Sequence, residues 1–169
     1  YDIWGDNVSR TISPMGVVSP HLDGVDSDTT VNDWLHNSDL MSKDESVTVP
    51  EGVSAREWLA NYYMEAFGQQ YDMDLKEFCT KSEIMDSILY SLFPNFAPWA
   101  GFHPNLTYRM KPYGDNHDMC TMEIIVLMRF PEGGERPADV PVIKLDKDQL
   151  FSEAEPLAGG LGKVFDQDF

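Results

Sequence analysis

The stretch from Leu106 to Phe130 constrains this chain more than any other. Leu106, Tyr108 and Met110 alternate with Thr107, Arg109 and Lys111, the period of two that sends successive side chains to opposite faces of a strand. Tyr113-Gly-Asp-Asn-His-Asp118 follows as a polar turn. A second alternating run then sets Cys120, Met122, Ile124, Val126 and Met128 against Thr121, Glu123, Ile125, Leu127 and Arg129. Two such runs around a Gly-Asp-Asn turn predict an antiparallel hairpin. Both faces of the 119–130 run carry apolar residues, so burial on both sides is expected. Asn95 to Phe102 is expected to add a strand beside the hairpin, and Pro131-Glu-Gly-Gly-Glu-Arg-Pro137 to end it as an exposed loop.

Helical periodicity precedes this sheet signal. Ser54-Ala-Arg-Glu57 fits a capping box just after Pro50 and Gly52. Trp58, Leu59, Tyr62, Tyr63, Ala66 and Phe67 follow at helical spacing, with Gly68 placed to stop the helix. Asp74-Leu-Lys-Glu77 is a second helix start. The stripe Leu75, Phe78, Cys79, Met85, Ile88, Leu89 and Leu92 predicts a helix reaching Pro94. Upstream, Val8, Arg10 and Ile12 alternate with polar neighbours, which predicts a strand near 6–15 ended by Pro14 and Gly16. Residues 19–50 are rich in Ser, Asp, Asn, Thr and Pro. They read as a long irregular excursion with one short helix near Val31–His36. A further short helix is expected at Asp148–Ala154. The order strand, loop, helices, antiparallel strands defines an α+β chain with helices packed on one face of an antiparallel sheet.

Charge narrows the partners. Twelve Lys and Arg stand against 29 Asp and Glu, a net charge of −17. Nucleic-acid phosphates need a basic face, and anionic membranes repel an acidic one, so neither is an expected partner. The longest apolar run, Ile124–Met128, is far short of the roughly 20 residues of a membrane helix. No signal or transit segment is visible, and a cytoplasmic location is expected. Cys79 and Cys120 form no CxxC, and two free thiols are expected. His21, His36, His103 and His117 contain no HxxxH or HxxxxH pair, so one helix face does not supply two metal ligands.

Four stretches together carry a family resemblance. They are Tyr1-Asp-Ile-Trp-Gly-Asp-Asn-Val-Ser-Arg10, Tyr90-Ser-Leu-Phe-Pro-Asn-Phe-Ala-Pro-Trp99, Tyr108-Arg-Met-Lys-Pro-Tyr-Gly114 and Gly162-Lys-Val-Phe-Asp-Gln-Asp168. In order and spacing the chain resembles the catalytic domain of the alpha subunit of Rieske non-haem iron aromatic ring-hydroxylating oxygenases. That resemblance implies a helix-grip (START-like) antiparallel sheet, here incomplete at both ends, over residues 1–169 as one partial catalytic domain. It implies a mononuclear Fe(II) held by two histidines and one carboxylate. Its electrons come from NAD(P)H through a ferredoxin or reductase and a Rieske [2Fe–2S] cluster. The implied substrate is an aromatic or related hydrophobic molecule, and the implied assembly a trimer of alpha subunits or an α3β3 particle.

Carried over residue by residue, the resemblance makes Asp168 the carboxylate iron ligand, near the start of the last long helix, with Asp166 the weaker choice. The competing reading of such an Asp is a helix N-cap. A substrate pocket is implied between the concave face of the sheet and the helices, with Phe93, Phe96, Trp99, Phe102 and Met122 as lining residues by apolar type and position. The HxxxxH segment and the C-x-H and C-x-x-H Rieske motifs of the family do not occur in this chain. The expectation is a fragment cut at both ends, upstream of Tyr1 and beyond Phe169, with at most one of three iron ligands and no activity on its own. Two other readings stand beside it: a helix-grip module that binds a hydrophobic small molecule and no iron, and a non-catalytic assembly subunit.

Overall fold

A computed structural model describes residues 1–19, 21–37, 48–102, 105–157 and 160–167. The chain divides into two compact units, Tyr1–Val17 with Arg56–Pro137, and Val18–Ala55 with Ala138–Phe169.

The first unit holds a six-stranded antiparallel sheet in simple sequence order. Its strands are β1 (Asp2–Trp4), β2 (Val8–Ser13), β3 (Ser87–Leu92), β4 (Phe96–Ala100), β5 (Leu106–Tyr113) and β6 (Asn116–Val126). The helices of this unit are α2 (Ala55–Tyr71), α3 (Leu75–Phe78) and α4 (Lys81–Met85), all of which precede β3. α1 (Ser27–Asn37) and α5 (Gly160–Asp166) belong to the second unit. The α+β class and the antiparallel sheet read from the sequence are therefore present. Among the described residues no helix is long and apolar enough to cross a membrane.

The longest predicted helix is where the sequence misleads. The stripe from Leu75 to Leu92 is not one helix. Cys79 is extended, Thr80 opens a new helix through a capping box with Glu83, and Asp86 is extended again. Ser87–Leu92 then runs as the strand β3 between β2 and β4. Ile88, Leu89 and Leu92 fit a helical stripe, but Ile88, Tyr90 and Leu92 fit a strand equally well. Pairing on both sides decides the matter, because a central strand satisfies its backbone groups on both edges.

Helix α2 begins at Ala55, directly after the predicted cap Ser54, but it passes Gly68 and ends at Tyr71. Its end is a Schellman turn: the Met73 N–H donates to the Gly68 carbonyl at 3.0 Å while Asp72 takes the left-handed conformation at φ 54°. A Cβ on Gly68 would lie 2.7 Å from the Met73 carbonyl oxygen. Gly68 thus permits this close approach three residues before the helix ends. The aromatic residues of α2 meet at i,i+4 spacing, Trp58 on Tyr62 at 5.5 Å and Tyr63 on Phe67 at 5.7 Å. Phe67 continues the series to Phe102 at 5.2 Å. Leu59, Ala60, Tyr63 and Met64 of α2 join Leu75, Ile84, Met85, Ile88, Phe102 and Leu106 in the core.

Asp86, at the joint between α4 and β3, is buried yet charged. Arg56 of α2 meets it through two bonds of 2.7 and 2.9 Å, Ser82 Oγ donates to it at 2.6 Å, and the Met15 N–H donates at 3.0 Å. Arg56 also donates to the Met15 carbonyl. Burial alone would raise the Asp86 carboxyl, but the bonds from Arg56, Ser82 and Met15 outweigh it and hold the group below its ordinary value.

Strand β6 overturns one expectation. The 119–130 run ends as a strand at Val126, and it is not buried on both sides: Met119, Met122, Ile125 and Val126 are all exposed. β6 is the last strand of the sheet, so among the described residues only β5 pairs with it.

In the second unit the excursion of residues 19–50 holds a longer helix than expected, α1. Asp26 caps it by accepting from the Thr29 N–H and the Thr29 hydroxyl, each at 2.8 Å. Asp28 accepts from the Ala55 N–H at 3.1 Å. The predicted helix at Asp148–Ala154 is reduced to a 3-10 turn at Phe151–Glu153, followed by a second at Glu155–Leu157. Phe151 meets Phe165 of α5 at 5.5 Å. A Cβ on Gly162 would lie 2.3 Å from the Leu157 carbonyl oxygen, so this packing of α5 needs glycine there.

Two outcomes test these assignments. Asp86→Ala should destabilise the first unit by about 3 kcal/mol, because it strands the Arg56 charge. Since folding lowers the Asp86 carboxyl, its contribution is full above the unfolded value of about 4 and is lost as pH falls through the lower folded value. Urea unfolding of wild type and variant should therefore differ at pH 6 and converge towards pH 2. Gly68→Ala should destabilise the chain, although helix propensity alone would favour it by about 1 kcal/mol; a higher melting temperature would contradict the tight turn at Met73.

Candidate functional site

The residues singled out from the sequence do not meet at one place. Asp168 lies outside the described residues. So does His103. Asp166 is the last residue of α5, at its C-terminal end and not at an N-cap. Its carboxylate accepts from the Ser152 N–H at 3.3 Å. Hydrogen bonding by the Ser152 side chain, opposed by desolvation and supported by the backbone N–H groups of Ser152 and Phe151, holds Asp166 below its ordinary value. Asp166 is thus engaged in tying α5 to the Phe151–Glu153 turn. Among the described residues no three or more His, Cys, Asp and Glu side chains are grouped to hold a metal ion. Cys79 and Cys120 are both free thiols.

Phe93 and Phe96 do come together. They line a cleft of about 360 Å³ at one end of the sheet, with Asp6, Asn7, Leu92 and Met110. The walls are the turn between β1 and β2, the turn between β3 and β4, and β5. Backbone bonds fix them: the Phe93 N–H donates to the Asn7 carbonyl at 2.9 Å. Asn95 and Met110 exchange two bonds, Met110 N–H to the Asn95 carbonyl and Asn95 Nδ2 to the Met110 carbonyl, each at 2.9 Å. Phe93 is three-quarters exposed at the rim. The cleft is wide open and its lining is mixed, with Phe93, Phe96, Leu92 and Met110 alongside Asp6, Asn7, Ser9, Ser91 and Asn95.

Trp99, Phe102 and Met122 lie elsewhere. Register places Trp99 beside Leu89, Ala97 beside Tyr108, and Met122 beside Met110. Trp99 and Met122 therefore share a face with Tyr108, whereas Phe96, three residues from Trp99 on the same strand, points to the other face. Trp99 meets Tyr108 edge-on at 6.3 Å, and its buried Nε1 has no hydrogen-bond partner. On the opposite face the buried Thr107 hydroxyl also lacks one. Phe102 is buried and lines a separate hollow with Tyr71, Phe78, Met128, Arg129 and Phe130.

Arg129 in that hollow carried no signal in the sequence beyond being the one cation at the end of an apolar run. Comparison with known proteins matched no family model, no curated protein and no solved structure.

If the cleft takes apolar molecules, Phe96→Ala should weaken the binding of an apolar probe such as 8-anilinonaphthalene-1-sulfonate there several-fold, read by fluorescence titration. Trp99→Phe, on the other face, should leave that titration unchanged.

Proposed function

We propose that this chain is part of the catalytic domain of a Rieske-type ring-hydroxylating oxygenase, in a helix-grip arrangement, acting on an aromatic or related hydrophobic substrate. The observation that supports this reading is where the resembling stretches fall. Tyr1–Arg10 forms the β1–β2 hairpin, Tyr90–Trp99 spans the β3–β4 hairpin, and Tyr108–Gly114 runs along β5 into its turn. Three of the four stretches, separated by up to 80 residues in sequence, thus lie side by side in one antiparallel sheet, while Gly162–Asp168 falls in the second unit.

The described residues do not fit a complete iron site. They offer no three-ligand group, and of the family's ligands only Asp168 has a counterpart in this sequence. A single carboxylate binds Fe(II) weakly, because tight binding needs several converging donors. The proposal therefore assigns this chain a sheet, a cleft and one ligand, and assigns the two histidines, the Rieske cluster and the electron supply from NAD(P)H by ferredoxin or reductase to the rest of the parent protein. That parent is proposed to be cytoplasmic and trimeric or α3β3. The chain alone is expected to be inactive.

A second reading has its own observation. The cleft beside Phe93 and Phe96 needs no metal, and a helix-grip module that only binds a hydrophobic small molecule would use it as it stands.

Iron separates the two. After anaerobic Fe(II) addition and desalting, this chain should retain far less than one iron, with or without Asp168→Ala. A chain extended into coding sequence upstream of Tyr1 that supplies an HxxxxH pair should hold one iron and lose it on Asp168→Ala. An extended chain whose iron survives that change would remove Asp168 from the site, and an upstream sequence without the histidine pair would favour the binding module.

A further inference from the structure

We infer that the hollow beside Arg129 is a binding site for a small carboxylate with an apolar body. The hollow measures about 360 Å³ and is walled by Tyr71, Phe78, Phe102, Met128 and Phe130, with Arg129 as the one cation among its described lining residues. Phe78, Met128 and Phe130 are exposed, so the apolar wall is open to a ligand. The inference stands on this geometry and is independent of the oxygenase reading.

Arg129 is held in place by groups that carry no charge. Its guanidinium lies over the Phe102 ring, 4.2 Å from the centroid. One terminal nitrogen, Nη1, donates to the Phe102 carbonyl at 2.6 Å and to Asn105 Oδ1. The other, Nη2, donates to the Gly101 carbonyl at 3.2 Å. A guanidinium has five N–H donors, so these three bonds leave two. Two N–H groups are what one carboxylate accepts from arginine. Because the side chain is already oriented, little freedom remains to be lost when the ligand arrives.

Most cations among the described residues already have a carboxylate partner. Arg10, Arg56, Lys76, Lys81, Arg109 and Lys111 each meet a carboxylate within 4.0 Å. No carboxylate of a described residue reaches Arg129, in a chain with 17 more acids than bases. Cys79 in the wall adds no negative charge, since burial, reinforced by the nearby Glu83 and opposed by Arg129, holds its thiol above its ordinary value. The net charge repels anions at long range. A carboxylate that binds here must therefore be held by local contacts.

Hexanoate and its uncharged counterpart hexanamide are suitable probes, titrated by calorimetry or by amide chemical shifts. Hexanoate should bind at least about tenfold more tightly than hexanamide, and Arg129→Gln should bring it down to the hexanamide level. Arg129→Lys should restore part of the difference, because it keeps the charge and loses the paired donors. Arg129→Gln also removes bonds to residues 101–105, so Phe78→Ala serves as a second variant that leaves those bonds intact; it should weaken both probes several-fold. Equal affinity for the two probes, no detectable binding of either, or hexanoate binding unchanged in a folded Arg129→Gln or Phe78→Ala chain would overturn the inference.

Discussion

The ion pair between Arg56 and Asp86 is the constraint on which the first unit depends. It joins three segments that are far apart in sequence: the first turn of α2, the joint between α4 and β3, and the chain at Met15 just after β2. A buried ion pair is not by itself a source of stability, since the desolvation of both charges offsets much of their attraction. Its value here lies in position. Asp86 can be satisfied only where Arg56, Ser82 and Met15 converge, and that point fixes where helix ends and strand begins. The register of β3 follows, with Ile12 opposite Ile88 on one side and Ala100 opposite Ile88 on the other. Both the cleft beside Phe93 and the hollow beside Arg129 are built on chain that leaves this sheet.

Local signals were readable where one residue type answers one local need. Asp74 accepts from the Lys76 N–H at the start of α3, as its place before Leu-Lys-Glu suggests. The expected 106–126 hairpin forms, but its turn is tighter than the predicted Tyr113–Asp118 segment, since β5 runs to Tyr113 and β6 already begins at Asn116. The failure at Ser87–Leu92 has a physical cause. Ser87–Leu92 pairs on both edges, yet its apolar residues Ile88, Leu89, Tyr90 and Leu92 fit a helical period as well as a strand's alternation. The Thr80–Glu83 capping box was present in the sequence and would have cut the predicted helix. Gly68 does not stop the helix, because a glycine near a helix end can instead make room for the chain's return, here at Met73 five residues later.

The candidate site was legible only in part. Phe93 and Phe96 flank one turn, and neighbours in sequence there become neighbours in space. Phe96 and Trp99 are an odd number of residues apart on one strand, so alternation separates them onto opposite faces. Arg129 could not be found from sequence, because its partners Gly101, Phe102 and Asn105 lie 24 to 28 residues away and are mostly backbone carbonyls. The exposed apolar residues of β6 were hidden for the same reason: sequence shows that a side chain is apolar, and only the fold shows that no described neighbour covers it.

Amide hydrogen exchange tests the central assignment most directly. With β3 between β2 and β4, the amides of Ile88 to Leu92 should be among the slowest to exchange in the first unit, and those of the terminal strand β6 should be faster. If residues 75–92 instead exchanged as one continuous helix, or if Ile88 to Leu92 exchanged as fast as β6, the sheet centred on β3 and the role of Asp86 at its entry would both be contradicted.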